Sequence, residues 1–253
     1  PISCKTIERQ SWVNPEEILE ELMSKICLKP DIITLSGSGE PTLHSGIGRL
    51  IREIKKRTEI PIAVLTNGSL LWRSEVREEL LQSDVVIPSL DAGNAGMFRM
   101  VNRPHPGITF KLLMDGLLSF RKEYAGKMWL EVLLLAGHTG FASEVRQIAQ
   151  WANQIKPDKV HLNTCVRPPA EVYAQMVPRE RLVEFQFWFE SATEVIGEYH
   201  LDPEKTDGIV HPDEILELLS RRPCTAEDIA AALGVHLNEV LKQLGSLLRE
   251  ETI

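Results

Sequence analysis

The residues Leu35-Ser36-Gly37-Ser38-Gly39-Glu40-Pro41-Thr42-Leu43 follow directly on the apolar run Asp31-Ile32-Ile33-Thr34. Gly37 and Gly39 are free to take positive φ, which lets backbone N–H groups approach a ligand; Pro41 stiffens the exit and leaves Glu40 as a fixed anionic acceptor. A carboxylate so placed suits an ammonium group. The competing account is an ordinary turn in which Glu40 caps the segment around Ser45. Asn67, Ser89, Asp91, Glu131 and Asn163 stand at or near the ends of later apolar runs, where they could meet amine, carboxylate or ribose hydroxyl groups. Taken singly, each has a plainer reading. Asn67 before Gly68 is a turn, Ser89 and Asp91 are caps, and Glu131 is a paired core carboxylate. Arg167, in Val166-Arg167-Pro168-Pro169, is a candidate for holding a substrate carboxylate or phosphate, or for a surface ion pair. In Asn102-Arg103-Pro104-His105-Pro106 the prolines fix Arg103 and His105, which suits substrate contact or loop rigidity.

The elements that must carry these residues alternate. Asn14-Pro15-Glu16-Glu17 reads as an N-cap, a first-turn proline and two acids at the positive end of a helix dipole, with Ile18, Leu19, Leu22, Met23 and Ile26 on one stripe. Residues 31–35, 61–65, 85–90, 129–135 and 160–163 read as five buried strands. Between them, helical stripes run through Ile47 to Ile54, Val76 to Leu81, residues 110–124 and residues 143–155, and a long aromatic-rich helix is expected over 179–196. Right-handed crossovers make such a chain an α/β fold with an all-parallel sheet, either doubly wound or a partial (β/α) barrel, with ligands at the carboxyl ends of the strands.

At 253 residues and 43% hydrophobic content, the chain can bury a full α/β core and add a small second module. Its net charge of -8 opposes nonspecific binding to phosphate backbones. No apolar run approaches the roughly 20 residues of a membrane span, and the first residues lack a secretory signal, so a cytoplasmic protein is expected. Cys4, Cys27, Cys165 and Cys224 are too dispersed for a local metal knuckle. Cys27 is expected on a buried helix face. The histidines show no His-x-His or His-x-x-x-His spacing, so no metal site is expected within the chain.

A polar connector at 201–208 separates a body over 1–200 from a helical module over 209–253. In that module Pro212 opens one helix, Thr225 and Asp228 form a capping box for a second, and Val240, Leu241, Leu244 and Leu248 stripe a third, which is helix-turn-helix spacing of a winged-helix-like kind. Residues 209–253 hold four basic side chains (Arg221, Arg222, Lys242, Arg249) against eight acidic ones (Asp213, Glu214, Glu217, Glu227, Asp228, Glu239, Glu250, Glu251), which argues for protein or substrate contact over DNA.

With these residues in place, Ser38-Gly39-Glu40-Pro41 resembles the Gly-Gly-Glu-Pro motif of radical S-adenosylmethionine (radical SAM) enzymes. Thr66-Asn67-Gly68 is similar to their third-strand motif, Ser89-Leu90-Asp91 to the ribose-contacting fourth strand, and the Asn102 to Pro106 loop to the segment that follows in the iron–sulfur oxidoreductase branch related to wyosine-forming tRNA enzymes. The resemblance covers roughly residues 5 to 200. It implies S-adenosylmethionine and a [4Fe-4S] cluster as cofactors, reductive cleavage to a 5′-deoxyadenosyl radical, hydrogen abstraction from a small-molecule or RNA substrate, and a reducing electron donor. Carried over, Glu40 and the Ser38-Gly39 backbone would hold the methionine ammonium, Ser89 and Asp91 the ribose, and Asn67 and Asn163 the cofactor from neighbouring strands. Arg103, His105, Glu131 and Arg167 would face substrate. The Cys-x-x-x-Cys-x-x-Cys loop of the family is absent, as is the first barrel strand, so the expectation is an N-terminally truncated form whose cluster ligands lie outside this chain. The alternative is a noncatalytic nucleotide- or nucleoside-binding module with a helix-turn-helix interaction domain. A cluster-free barrel lyase or aldolase would need a catalytic lysine or a carboxylate pair at strand ends, and Lys159 precedes its strand.

Overall fold

Asn14 caps the first helix as its spacing requires: its Oδ1 accepts from Glu16 N at 3.2 Å, and α1 runs Pro15–Lys25. A short 3-10 turn, Ile26–Leu28, then ends in Lys29 at φ 50. That tighter turn rotates Cys27 outward, so the thiol is exposed and not on a buried face. The computed structural model describes residues 5–37, 39–165, 175–196, 211–221, 224–233 and 235–249. They divide into two compact units: Pro1–Asn163 with Val177–Ile196, and Thr164–Met176 with Gly197–Ile253. The connector expected at 201–208 lies outside the described residues.

The first unit alternates strand and helix. In chain order come β1 (Ile33–Leu35), α2 (Ile47–Lys55), β2 (Ile62–Thr66), α3 (Ser74–Leu80), β3 (Val85–Pro88), α4 (Ala95–Val101), α5 (Phe110–Glu123), β4 (Lys127–Ala136), α6 (Ala142–Ile155) and β5 (Lys159–Thr164). The chain next enters the second unit, which holds the two-residue β6 (Gln175–Met176), and returns to the first for α7 (Arg179–Gln186) and β7 (Ala192–Val195). The sheet order is β1-β2-β3-β4-β5-β7, with β6 off that row. Register pairs such as Thr34↔Ala63, Ala63↔Val85, Val85↔Lys127 and His161↔Glu194 are parallel.

The long helix expected over 179–196 is a helix and a strand instead. Its chain turns after Gln186, Asn153 Oδ1 accepts from Glu190 N at 2.9 Å, and residues 192–195 pair with β5. The aromatic residues Phe185, Trp188 and Phe189 gave the segment an apolar tone without a helical period, while the β-branched Thr193 and Val195 alternate as a strand does. The short α4, capped by Asn94 accepting from Met97 N at 2.9 Å, stands in a stretch that showed no apolar stripe.

The two faces of the sheet differ. Ile62, Val64, Val86, Met128, Leu130, Val132, Val160 and Leu162 lie on one face, sealed into one core with Ile51 and Ile54 of α2, Leu117 and Phe120 of α5, and Ile148 and Ile155 of α6. Each such side chain contributes roughly 1.5–3 kcal/mol by leaving water. On the other face the alternate positions Leu65, Ile87, Ser89, Trp129, Glu131, Leu133, His161 and Asn163 are only half-buried. Helices on one face and an open, polar-rimmed opposite face make an α/β partial barrel, not a doubly wound sheet.

The second unit has α8 (Pro212–Arg221), α9 (Ala226–Leu233) and α10 (Leu237–Arg249) around Ile215, Ile229, Ala230, Val240 and Leu247. The capping box forms: Thr225 Oγ1 accepts from Asp228 N at 3.1 Å, and an Asp228 carboxylate oxygen accepts from Thr225 N at 3.0 Å. Among the described residues from 211 to 249 there is no strand. Among the described residues no helix is long and apolar enough to cross a membrane.

Candidate functional site

Glu40 is fixed by four hydrogen bonds. Its Oε1 accepts from Thr42 N at 3.1 Å, Thr42 Oγ1 at 2.6 Å and Thr66 Oγ1 at 2.5 Å, while Oε2 accepts from Asn67 N at 2.7 Å. Pro41, Thr42 and Leu43 form a single 3-10 turn that Glu40 caps, so the cap falls on Thr42 and not near Ser45. Thr42 is 0% and Thr66 4% exposed, so water does not compete for these hydroxyls. The clamp saturates Oε1 and leaves Oε2 with an open lone pair. Thr42 is the residue that reading the sequence missed, although it stood inside the first motif singled out, and Thr66, noted there only as a strand-end polar residue, completes the clamp. The signal was a hydroxyl two residues past the carboxylate and another closing the next strand.

The remaining residues continue the rim strand by strand. Gly68 takes φ 72 after Asn67, whose Oδ1 accepts from Ser69 N at 2.9 Å, closing the turn that ends β2. Ser89 donates its N–H to Thr66 O at 3.1 Å and bridges Glu131 in parallel register, and Leu90 N reaches Glu131 O at 2.8 Å. Glu131 Oε1 accepts from Asn163 Nδ2 at 3.0 Å, carrying the row to β5. Asp91 turns inward: Oδ1 accepts from Leu133 N at 3.0 Å and Oδ2 from Asn102 Nδ2 at 2.7 Å. Burial, reinforced by the Glu131 charge and opposed by these two bonds, pushes the Asp91 carboxyl from the ordinary 3.8 to about 6. Lower on the same face, burial and then the neighbouring Lys159 charge hold the His161 imidazole below its usual value, with Trp129 packed beside it. Lys159 opens β5 and pairs with Glu194 at 2.8 Å, away from the rim.

Glu40, Asn67, Ser89, Glu131 and Asn163 thus lie along one rim, linked in part through Thr66; the rim spans roughly 15 Å from β2 to β5 at the usual strand spacing. Asn67 Nδ2, Ser89 Oγ and Glu131 Oε2 have no hydrogen-bond partner among the described residues. Donors and acceptors left open along one rim suit a ligand with amine and hydroxyl groups. Gly39 adds backbone without obstruction, since a Cβ there would meet nothing within 4 Å. Arg103 and His105 stand apart from the row, on a loop tied to it through Asn102 and Asp91, and border a separate cavity. Ser38 and Arg167 lie outside the described residues.

A metal finds no ligands here: among the described residues no group of three His, Cys, Asp or Glu side chains is placed to hold one. Of the described cysteines, Cys27 is exposed, and Cys165 and Cys224 are half-buried.

The family model described as the Radical SAM superfamily matches residues 3–152. The chain is 35% identical to a protein of Brachyspira hyodysenteriae named GTPase Obg, over 96% of this chain and 37% of that one. It therefore spans little more than a third of that relative. It is 31% identical to a UPF0026 protein of Methanocaldococcus jannaschii, over 95% of this chain and 73% of the relative. In three dimensions it resembles Streptococcus suis SuiB bound to S-adenosylmethionine, with a TM-score of 0.55 and 15% identity over 77% of this chain and 47% of that one.

Proposed function

Because this chain belongs to the radical SAM superfamily, we propose that its open sheet rim binds S-adenosylmethionine for radical chemistry on a second substrate. The observation that carries the reading is the Glu40 clamp, which turns one carboxylate oxygen toward a rim of unmatched donors and acceptors. Bound there, S-adenosylmethionine supplies a sulfonium centre whose reductive cleavage yields a hydrogen-abstracting radical. Glu40 Oε2 accepts from the methionine ammonium, with the Gly39 backbone beside it. The Ser89 hydroxyl addresses the ribose, while Asp91, turned inward, holds Asn102 and β4 behind it in place of the ribose contact that the resemblance implied, and Asn67 and Asn163 orient the cofactor from β2 and β5. Glu131, held by Asn163, faces the substrate from the open side of β4.

The [4Fe-4S] cluster has no ligand set among the described residues. Reductive cleavage further calls for an external electron donor and a substrate with an abstractable hydrogen, a small molecule or an RNA.

The test is calorimetric titration of anaerobically purified full-length protein with S-adenosylmethionine, followed by assay for its cleavage under reducing conditions. Saturable binding that Glu40→Gln weakens by about tenfold, the loss of one charge-assisted bond to an ammonium, is expected. Binding without cleavage would favour the noncatalytic nucleoside-binding module. Unchanged affinity in Glu40→Gln would refute the role given to the clamp.

A further inference from the structure

The loop between α4 and α5 borders a cavity of about 520 Å³ whose polar lining holds three cations, Lys5 from the N-terminal segment, Arg99 on α4 and Arg103 on the loop, beside His105 of the same loop, with Phe98 and Phe110 as apolar walls. Among the described lining residues there is no Asp or Glu, in a chain with 36 acidic and 28 basic side chains. Lys5 and Arg99 have no ion-pair partner among the described residues. Like charges brought together repel, and an anion placed between Lys5 and Arg99 lowers that cost.

Lys5, His105 and the backbone of the loop are held in place. Arg103 takes φ 45 between Asn102, which is anchored to Asp91 at 2.7 Å, and Pro104, so the path of the loop is set. Lys5 Nζ donates to the Arg103 carbonyl, which ties the N-terminal segment to the loop and leaves two ammonium donors over. His105 Nδ1 accepts from Gly107 N at 3.0 Å, which places the imidazole proton on Nε2 as a donor. A guanidinium fork, a point charge and an imidazole N–H match the oxygens of a phosphoryl group better than the two of a carboxylate.

We infer that this cavity binds the phosphoryl group of a small molecule, with Phe98 and Phe110 against the apolar body attached to it. Binding itself is independent of the cofactor reading. Only the assignment of this molecule as the one acted upon rests on that reading, through the link from the loop to the rim.

The test titrates the full chain with phenyl phosphate, inorganic phosphate and benzoate. Phenyl phosphate is expected to bind saturably and more tightly than either control, and to weaken as salt is raised from about 50 to about 300 mM. Arg99→Gln and Lys5→Gln should each reduce its affinity by about tenfold. Arg57→Gln, whose guanidinium pairs with Glu53 elsewhere, should leave it unchanged. Equal affinity for benzoate would overturn the phosphoryl assignment, and equal affinity for inorganic phosphate would overturn the apolar body. Binding unaltered in both Arg99→Gln and Lys5→Gln would overturn the site. The same variants titrated with S-adenosylmethionine separate the two readings: failure of wild type to bind that cofactor defeats the proposed function and leaves the phosphoryl result standing.

Discussion

Replacing Thr66 with valine removes one hydroxyl from the Glu40 clamp and keeps the side-chain shape. The lost bond is short, 2.5 Å to Glu40 Oε1, and charge-assisted, a class worth about 1.5–3 kcal/mol. At 4% exposure, no water replaces it. The same hydroxyl accepts from Gly68 N at 3.1 Å, so that N–H is orphaned as well. The added methyl returns less than about 1 kcal/mol of burial. The net expectation is a loss of about 2–4 kcal/mol of stability, together with weaker S-adenosylmethionine binding because Glu40 Oε2 is no longer held in one direction. Urea unfolding followed by tryptophan fluorescence reads the first term, since Trp12, Trp72, Trp129, Trp151 and Trp188 all belong to the first unit. A double-mutant cycle with Glu40→Gln reads the pair, and a coupling of at least about 0.5 kcal/mol is expected. Additive effects within error, or a Thr66→Val cost below that figure, would refute the clamp.

Asp91 offers a test through pH. Its folded-state value of about 6 exceeds the ordinary 3.8, so between about pH 4 and 6 the folded chain holds a proton the unfolded chain has lost. Its contribution to stability is therefore full at the acid end and falls as pH rises across that window; the difference in urea midpoint between wild type and Asp91→Asn should show that slope and flatten above it. A flat difference throughout would contradict the buried carboxyl. Thr225→Ala breaks the capping box at the start of α9 and should cost about 1 kcal/mol in the three-helix unit. Faster amide exchange in α9, with the tryptophan-reported transition unmoved, is the expected result, and a shift of that transition would refute the confinement.

How far the site could be read in advance depends on how local its physics is. The turn chemistry of Gly39-Glu40-Pro41 and Asn67-Gly68 is written in consecutive residues, as is the helix start at Asn14-Pro15 and the Thr225–Asp228 box. Strand-length apolar runs placed β1 to β5 in order, and chain connectivity implied a parallel sheet, but whether it was doubly wound or a partial barrel was decided only by which faces the helices cover. Residues 186–196 misled because aromatic content raises hydrophobicity without showing a period; pairing with β5, a contact distant in sequence, made that stretch a strand. Cys27 was misplaced by one tightened turn.

Chain order thus determined which residue types reach the carboxyl rim, since alternation and turn signals act over a few residues. Only the tertiary structure decided what each does there, because hydrogen bonds between strands depend on register. Register set Thr66 against Glu40 and Asn163 against Glu131, turned Asp91 inward to Leu133 and Asn102, and gathered Lys5, Arg99 and His105 from separate segments around one cavity.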